Sequence, residues 1–183
     1  MHRPFVFLDI ETTGGSPRSS RVLEVGAIRV ESNNVVASMN QLINPNEPVP
    51  YFITGITGIT DKDIWNKPDF ASVASELEDL LEDAIFVAHN VNFDYGFLQA
   101  EFSRLGVNLK KDRLCTARLS RKLYPQHRSH KLDALIARHG YKVANRHRAL
   151  DDAEVLYKFY KEHVASHGLE LYKTIDSLIT YAR

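Results

Sequence analysis

The feature that most constrains the fold of this chain is a short apolar run that ends in two closely spaced acids. Residues 4–8 are apolar or aromatic, and Asp9 and Glu11 follow with a single residue between them. A run of this kind is typical of a buried strand. Because residues two apart on a strand point to the same face, both carboxylates are predicted to project together from the strand end.

Two carboxylates side by side repel each other, and burial increases the cost of that repulsion. A divalent cation between them would remove the problem, and hard oxygen ligands suit Mg²⁺ or Mn²⁺. The alternative at this point is a polar strand end in water, because a lone pair of acids at this spacing is a weak signal.

Strand and helix signals alternate along the rest of the chain. Residues 21–31 and 35–43 flank a turn-like triplet and predict a hairpin, and three prolines between residues 45 and 50 predict an irregular segment. The remaining predicted elements are a helix over 69–81, a strand over 85–89, a helix over 90–105, a strand running into a helix over 114–123, and helices over 131–139, 149–164 and 169–182. No linker interrupts the series, so residues 1–183 are predicted to form one domain with an α/β layer fold and a mixed sheet.

The charge of the chain is balanced overall but unevenly distributed. There are 23 Lys and Arg and 23 Asp and Glu, and residues 110–148 contain 12 of the basic residues beside only two acids. This region is either a solvated helical face or a stripe that contacts phosphates. The single cysteine, Cys115, excludes an internal disulfide and agrees with a cytoplasmic location. The N-terminus is too short for a signal peptide and no run reaches membrane-spanning length, so no membrane partner is expected.

Three further residues stand at positions that favour chemistry. Asp94 is predicted in the first helical turn after strand 85–89, where it either stabilises the helix N-terminus or contributes to a site at the strand end. His147 and Asp152 are five residues apart, about 140° around a helix, so they cannot share one helix face. His147 is therefore predicted on the loop before the helix and Asp152 in its first turns. Spacing alone does not decide between Asp152 and its neighbour Asp151.

Three motifs, taken in order, carry a resemblance to a known family. They are FVFLDIETTG at 5–14, VAHNVNFDYGFL at 87–98 and HRALDDA at 147–153, and TGITD at 57–61 looks like the substrate-strand loop of the same family. The set resembles the DEDDh (DnaQ-like) branch of the 3′–5′ exonuclease superfamily, which includes the proofreading epsilon subunit of bacterial DNA polymerase III. The resemblance covers about residues 4–164.

The resemblance implies a role for each matching residue. Two divalent cations, Mg²⁺ or Mn²⁺, would be held by four carboxylates, and His147 would be the general base; the ligands are Asp9, Glu11, Asp94 and Asp152. The family's spacing from the histidine selects Asp152 over Asp151. Thr12 and Thr13 would lie beside the terminal nucleotide, and Ile59 and Phe93 are candidates for packing against sugar or base, with ordinary loop or core packing as the alternative. The implied fold is ribonuclease H-like, a mixed five-stranded sheet flanked by helices.

The implied activity is the hydrolysis of mainly single-stranded DNA, or of frayed 3′ ends, to nucleoside 5′-monophosphates. A DNA polymerase subunit is a further partner that the resemblance suggests. Two alternatives stay open. One is a 3′–5′ exoribonuclease of the same superfamily, and the other is a non-catalytic domain of this fold that only binds nucleic acid.

Overall fold

The computed structural model describes residues 3–182, and its first three strands form an antiparallel meander. The strands are β1 (Phe5–Thr12), β2 (Val22–Glu31) and β3 (Asn34–Leu42). The hairpin between β2 and β3 turns at the predicted triplet, where Ser32 and Asn33 adopt left-handed backbone conformations. Asparagine tolerates that conformation better than most residues do, which explains the turn at this position.

Residues 45–50 are irregular, which confirms the prediction made from the three prolines. The segment that follows them is helical. It forms α1 (Tyr51–Thr57) and the single turn α2 (Asp61–Ile64). Pro50 is the N-cap residue of α1. Proline disrupts the interior of a helix but is compatible with its start, where no backbone N–H is needed for a helical hydrogen bond. The predicted helix over 69–81 is α3 (Phe70–Leu80), whose first turn is capped by the Asp69 side chain.

The second half of the chain alternates between short strands and helices, as predicted. The elements are β4 (Ile85–Ala88), α4 (Asn92–Arg104), β5 (Arg113–Cys115), α5 (Thr116–Leu123), α6 (Leu132–His139), α7 (Ala149–His167) and α8 (Leu169–Leu178). The segment over 114–123 is a strand end that leads directly into a helix, which confirms the prediction.

The five strands form one mixed sheet in the order β3-β2-β1-β4-β5. Strands β2 and β3 run antiparallel to their neighbours, whereas β1, β4 and β5 are parallel to one another. This arrangement confirms the predicted mixed five-stranded sheet. Because β1 and β4 are parallel, their carboxyl ends lie side by side at the same end of the sheet. Open α/β sheets usually bind their ligands outside these carboxyl ends.

Helices cover both faces of the sheet. The apolar side chains of β1 alternate between two clusters: Val6, Leu8 and Ile10 pack with α3 and α4, whereas Phe5 and Phe7 pack with α5 to α8. Among the described helices, none combines the length and apolarity that a membrane crossing requires.

Candidate active site

The end of β1 presents Asp9 and Glu11 on the sheet face that α7 covers. Phe7 occupies the same face two residues earlier and its ring lies 5.7 Å from that of Tyr157 on α7, which runs opposite to β1. Two strand residues advance about 6.6 Å and five helical residues about 7.5 Å, so Asp152 lies about level with Asp9 along the two elements. The charge of Asp152 acts on the Asp9 carboxyl, and both residues line one cleft, so the first and third motifs meet here.

The close approach of α7 to the sheet depends on Gly26 of β2, which pairs with Asp9 of β1. A Cβ atom at position 26 would lie 2.0 Å from the backbone nitrogen of Leu150 and 2.1 Å from the carbonyl carbon of Ala149. Any side chain would therefore collide with the backbone at the start of the helix. Glycine at this position fixes how near the first turns of α7 come to Asp9.

Glu24, buried on β2, anchors the segment that enters α7. Its carboxylate accepts hydrogen bonds from Nη2 of Arg148 at 2.6 Å and from the backbone N–H of Ala149 at 3.0 Å. The carboxylate thus lies at the helix N-terminus, where the helix dipole favours a negative charge. His147 precedes this anchor in a left-handed conformation, with φ of 62°. The anchor fixes the chain directly after His147 and so limits where its imidazole can lie.

Asp94 reaches the same cleft from the other side, in the first turn of α4 after β4. Its side chain is buried, and a hydrogen bond from the backbone of Ile10 connects it to β1. The opposite end of α4 is held to the start of β2 by Glu101, which accepts a hydrogen bond from the backbone N–H of Val22 at 3.2 Å and two from Arg21, directly before the strand, at 2.8 and 2.9 Å. Three separate elements therefore deliver four carboxylates to one place.

The electrostatics of the four carboxylates disfavour their charged forms. Burial, followed by the charges of Asp94, Asp152 and Glu11, raises the pKa of Asp9 well above its ordinary range. Burial and the charge of Asp152 raise the pKa of Glu11 to about 8, and burial raises the pKa of Asp94 to about 8 and that of Asp152 to about 6. Such a cluster is stable in its ionised form only with added positive charge.

The donor atoms of this cluster fit a divalent cation. Glu11, His147 and Asp152 each offer a ligand atom, and these atoms all lie within 4.8 Å of one another. One carboxylate oxygen of Asp152, Oδ1, is buried and has no hydrogen-bond partner among the described residues. An orphaned carboxylate oxygen beside other hard donors is what a bound Mg²⁺ or Mn²⁺ would satisfy.

Arg146 supplies positive charge to the cluster. Its guanidinium forms an ion pair with Oδ2 of Asp152 and a second, of 2.7 Å, with Asp133 at the start of α6. Its charge lowers the pKa values of Asp9, Glu11 and Asp152, in opposition to burial. Burial and the same charge lower the pKa of His147, which favours the neutral imidazole that a general base requires.

The carboxylates line one side of an open cleft of about 510 Å³, and basic and aromatic side chains line other parts of it. Arg121 of α5 and Lys131 beside α6 are exposed at this cleft, and Phe93 lies partly buried in its wall. Part of the basic region thus faces the cleft. Other cations of the region serve the fold, since Arg148 pairs with Glu24 and Arg113 lies over the ring of Tyr95.

The remaining predicted substrate contacts are mostly buried. Thr12 donates a hydrogen bond to the Gly14 carbonyl at 2.7 Å, and Thr13 donates one of 2.7 Å to Glu47. Ile59 is 3% exposed and packs in a small cluster with α1 and α2. This burial agrees with ordinary loop packing, the alternative to a substrate contact. Of the four candidates, Phe93 is the one that lines the cleft.

Sequence reasoning did not select Gly26, Glu24 or Arg146, although each shapes the site. Glu24 could have been noticed as an acid inside the apolar strand sequence VLEVGAIRV, since a buried charge is kept only when it is paired. A glycine inside a strand also indicates close approach by another backbone. The role of Arg146 had no comparable signal.

Comparison with known proteins decides the family. The profile of a family described as Exonuclease matches residues 6–160. The chain belongs to the exonuclease family. This membership confirms the predicted resemblance and the predicted enzyme class.

Curated members of the exonuclease family show substantial identity to the chain. The DNA polymerase III PolC-type of Latilactobacillus sakei is 35% identical over 170 residues, which is 90% of this chain and 12% of that protein. The 3′-5′ exonuclease DinG of Bacillus subtilis is 37% identical over 153 residues, which is 82% of this chain and 16% of that protein. The chain therefore spans only a small part of the relatives it matches.

Solved structures share the exonuclease fold. A zinc-bound complex of E. coli exonuclease I with single-stranded DNA matches with a TM-score of 0.83 and 22% identity, over 95% of this chain and 43% of the other. Exonuclease X in complex with 5′ overhanging duplex DNA matches with a TM-score of 0.75 and 22% identity, over 94% of this chain and 98% of the other. These matches confirm the predicted ribonuclease H-like architecture.

Proposed function

We propose that this chain is a two-metal-dependent 3′–5′ exonuclease that hydrolyses mainly single-stranded DNA and releases nucleoside 5′-monophosphates. The observation that carries the proposal is the convergence of four mutually repelling carboxylates, two of them buried and two half-buried, near an orphaned oxygen of Asp152. We assign Asp9, Glu11, Asp94 and Asp152 as metal ligands. When bound, two divalent cations would activate water and stabilise the charge that develops on the phosphate and on the leaving oxygen.

The chain's own residues account for the other requirements of the reaction. Neutral His147, held next to the carboxylates by its position before the Glu24 anchor, accepts the proton of the attacking water. Arg121 and Lys131 attract the phosphate backbone at the cleft. The exposed part of Phe93 offers an apolar surface for the terminal base or sugar. We further propose that residues 1–183 form a single domain that carries the complete site.

Relatives favour DNA over RNA as the substrate, although the fold does not decide between them. The two curated relatives named above are a DNA polymerase and a 3′-5′ exonuclease, whereas a structure with a TM-score of 0.76 is a 3′-exonuclease that recognises a histone mRNA stem-loop. The cleft is open, and an exoribonuclease remains the second candidate. The polymerase relatives also favour proofreading, which predicts faster removal of a mismatched than of a matched primer terminus.

The decisive experiment is degradation of a 5′-labelled single-stranded DNA and its RNA twin with Mg²⁺, with Mn²⁺ and with EDTA. A ladder that shortens from the 3′ end and disappears in EDTA supports the proposal, and the ratio of DNA to RNA rates chooses the substrate. Asp151→Asn is the matched control for Asp152→Asn, because the two acids are adjacent in the first turn of α7. Loss of cleavage in Asp152→Asn alone supports the ligand assignment. Intact wild-type protein that cleaves neither strand with either metal would favour a non-catalytic binding domain.

A further inference from the structure

The positively charged side chain of Arg146 lies among the carboxylates of the candidate active site. It lies on the loop before α7, and its guanidinium pairs with the carboxylate of Asp152 on one side and with that of Asp133 on the other. The Asp152 side chain is 2% exposed, whereas the Asp133 side chain is 70% exposed. The same guanidinium thus connects the buried centre of the site to its rim.

A guanidinium at Asp152 conflicts with a divalent cation at the same carboxylate. Carboxylate oxygens of Glu11 and Asp152 lie within 4.8 Å of each other, so a metal held between them would be a close neighbour of the Arg146 charge. Like charges at this separation repel strongly in a partly buried site. The pair with Asp152 must therefore weaken or break when the metal binds.

Asp133 gives the displaced guanidinium a second counter-ion. The Nε atom of Arg146 lies 2.7 Å from Asp133, while Nη1 makes the contact with Asp152. Arginine carries five donors on a rigid fork, so one edge can stay paired while the other is released. The side chain can therefore leave Asp152 without losing all its charge compensation.

We propose that Arg146 is a built-in counter-ion that offsets part of the negative charge of the metal-free site, competes with the divalent cation for Asp152 and so lowers the metal affinity. This inference rests on the proposed function only in taking the carboxylates as metal ligands. Arg146 is a positioning residue for the ligands in this account. The competition weakens metal binding, but the guanidinium reduces the repulsion among the carboxylates when no metal is present.

The test is the Mn²⁺ affinity of the wild type and of variants, measured by isothermal titration calorimetry without nucleic acid. Arg146→Gln is expected to bind Mn²⁺ about tenfold more tightly, because one competing charge is gone. Arg146→Lys keeps the charge but loses the forked guanidinium, and its Mn²⁺ affinity is expected to lie between those of the wild type and Arg146→Gln. Arg121→Gln is the matched control, because Arg121 lines the same cleft and forms no ion pair among the described residues. It should change the affinity far less.

Thermal unfolding supplies a second readout that does not depend on activity. In EDTA, Arg146→Gln is expected to have a lower Tm than the wild type, whereas saturating Mn²⁺ should give it the larger Tm increase. Equal Mn²⁺ affinity in the wild type and Arg146→Gln would overturn the proposal and leave the exonuclease assignment intact. An equal gain in Arg121→Gln would overturn it as well, since the effect would then be general electrostatics. Absence of Mn²⁺ binding in every protein would instead refute the proposed metal site, and the counter-ion with it.

Discussion

Replacement of Gly26 by alanine tests whether the packing of α7 on β2 sets the geometry of the active site. The added Cβ would lie 2.0 Å from the backbone nitrogen of Leu150, and an ordinary contact needs at least 3.4 Å, so the helix start must retreat by about 1.4 Å. The atoms in the way belong to the backbone, so no side chain can rotate to make room. We therefore expect Gly26→Ala to displace the first turns of α7, which carry Asp152.

The size of the effect follows from the size of the displacement. Overpacking of this kind costs about 1–3 kcal/mol and more where backbone must move. For a chain of this length each kcal/mol corresponds to about 2–4 °C in Tm, so a decrease of roughly 2–12 °C is expected. A misplacement of about 1 Å between catalytic groups can cost ~100-fold in rate, so cleavage should fall by about that factor.

The assays are scanning calorimetry in EDTA and cleavage of a 5′-labelled single-stranded DNA at saturating Mn²⁺. Gly55→Ala in α1 is the control for stability, because a Cβ there meets nothing within 4 Å and alanine favours a helix. It should leave Tm unchanged or slightly raised. A Gly26→Ala protein with wild-type Tm and wild-type rate would refute the packing argument. A lowered Tm with an unchanged rate would refute the coupling between this contact and the site.

Three further predictions concern the carboxylates and the histidine. Asp9→Asn is expected to abolish cleavage and to raise the Tm of the metal-free protein by ~2 °C or more in scanning fluorimetry, because it removes a carboxyl group whose ionisation is disfavoured by burial and by its acidic neighbours. A lower Tm would show that this carboxylate stabilises the fold. His147→Ala is expected to slow cleavage by about 10²–10⁴-fold in a single-turnover assay. Its Mn²⁺ affinity, measured by calorimetry, should stay within about threefold of the wild-type value. A loss of metal affinity as large as the loss of rate would instead make His147 a ligand. The pKa of Glu11 rises from 4.5 to about 8 and that of Asp94 from 3.8 to about 8, so the metal-free native state holds protons that the unfolded chain releases between these values. Denaturant titrations in EDTA should therefore show stability falling as pH rises from about 4 to 8, while Mn²⁺ affinity rises over the same window; a flat stability profile would contradict the burial of these acids.

The parts of the fold and site that follow from local periodicity could be predicted from the sequence. The two-residue period of a strand put Asp9 and Glu11 on one face, and the five-residue spacing put His147 on the loop before the helix that carries Asp152. The order of strands and helices followed from apolar runs and from helix-ending glycines. These features depend on neighbours within a few residues, which is why the sequence contains them.

The parts that depend on distant contacts could not be predicted in the same way. Glu24 is 124 residues from its partner Arg148, and nothing in either neighbourhood indicates the pairing. Helix α1 was not predicted, because the prolines before it indicate irregular structure. Pro50 nevertheless stands at a position where a helix can begin. Ile59 was considered as a substrate contact because of the motif around it, whereas its burial depends on how α1 and α2 fold over it.

The docking of α7 on the first two strands also determines when the site can exist during synthesis. About 140 residues separate Asp9 from Asp152, and at roughly 5–20 residues per second their synthesis takes about 7–30 s. Over that interval the helix that would complete the cluster has not been made. The proposed metal site therefore cannot exist in a growing chain, and it is complete only after α7 has emerged from the ribosome and packed on the sheet.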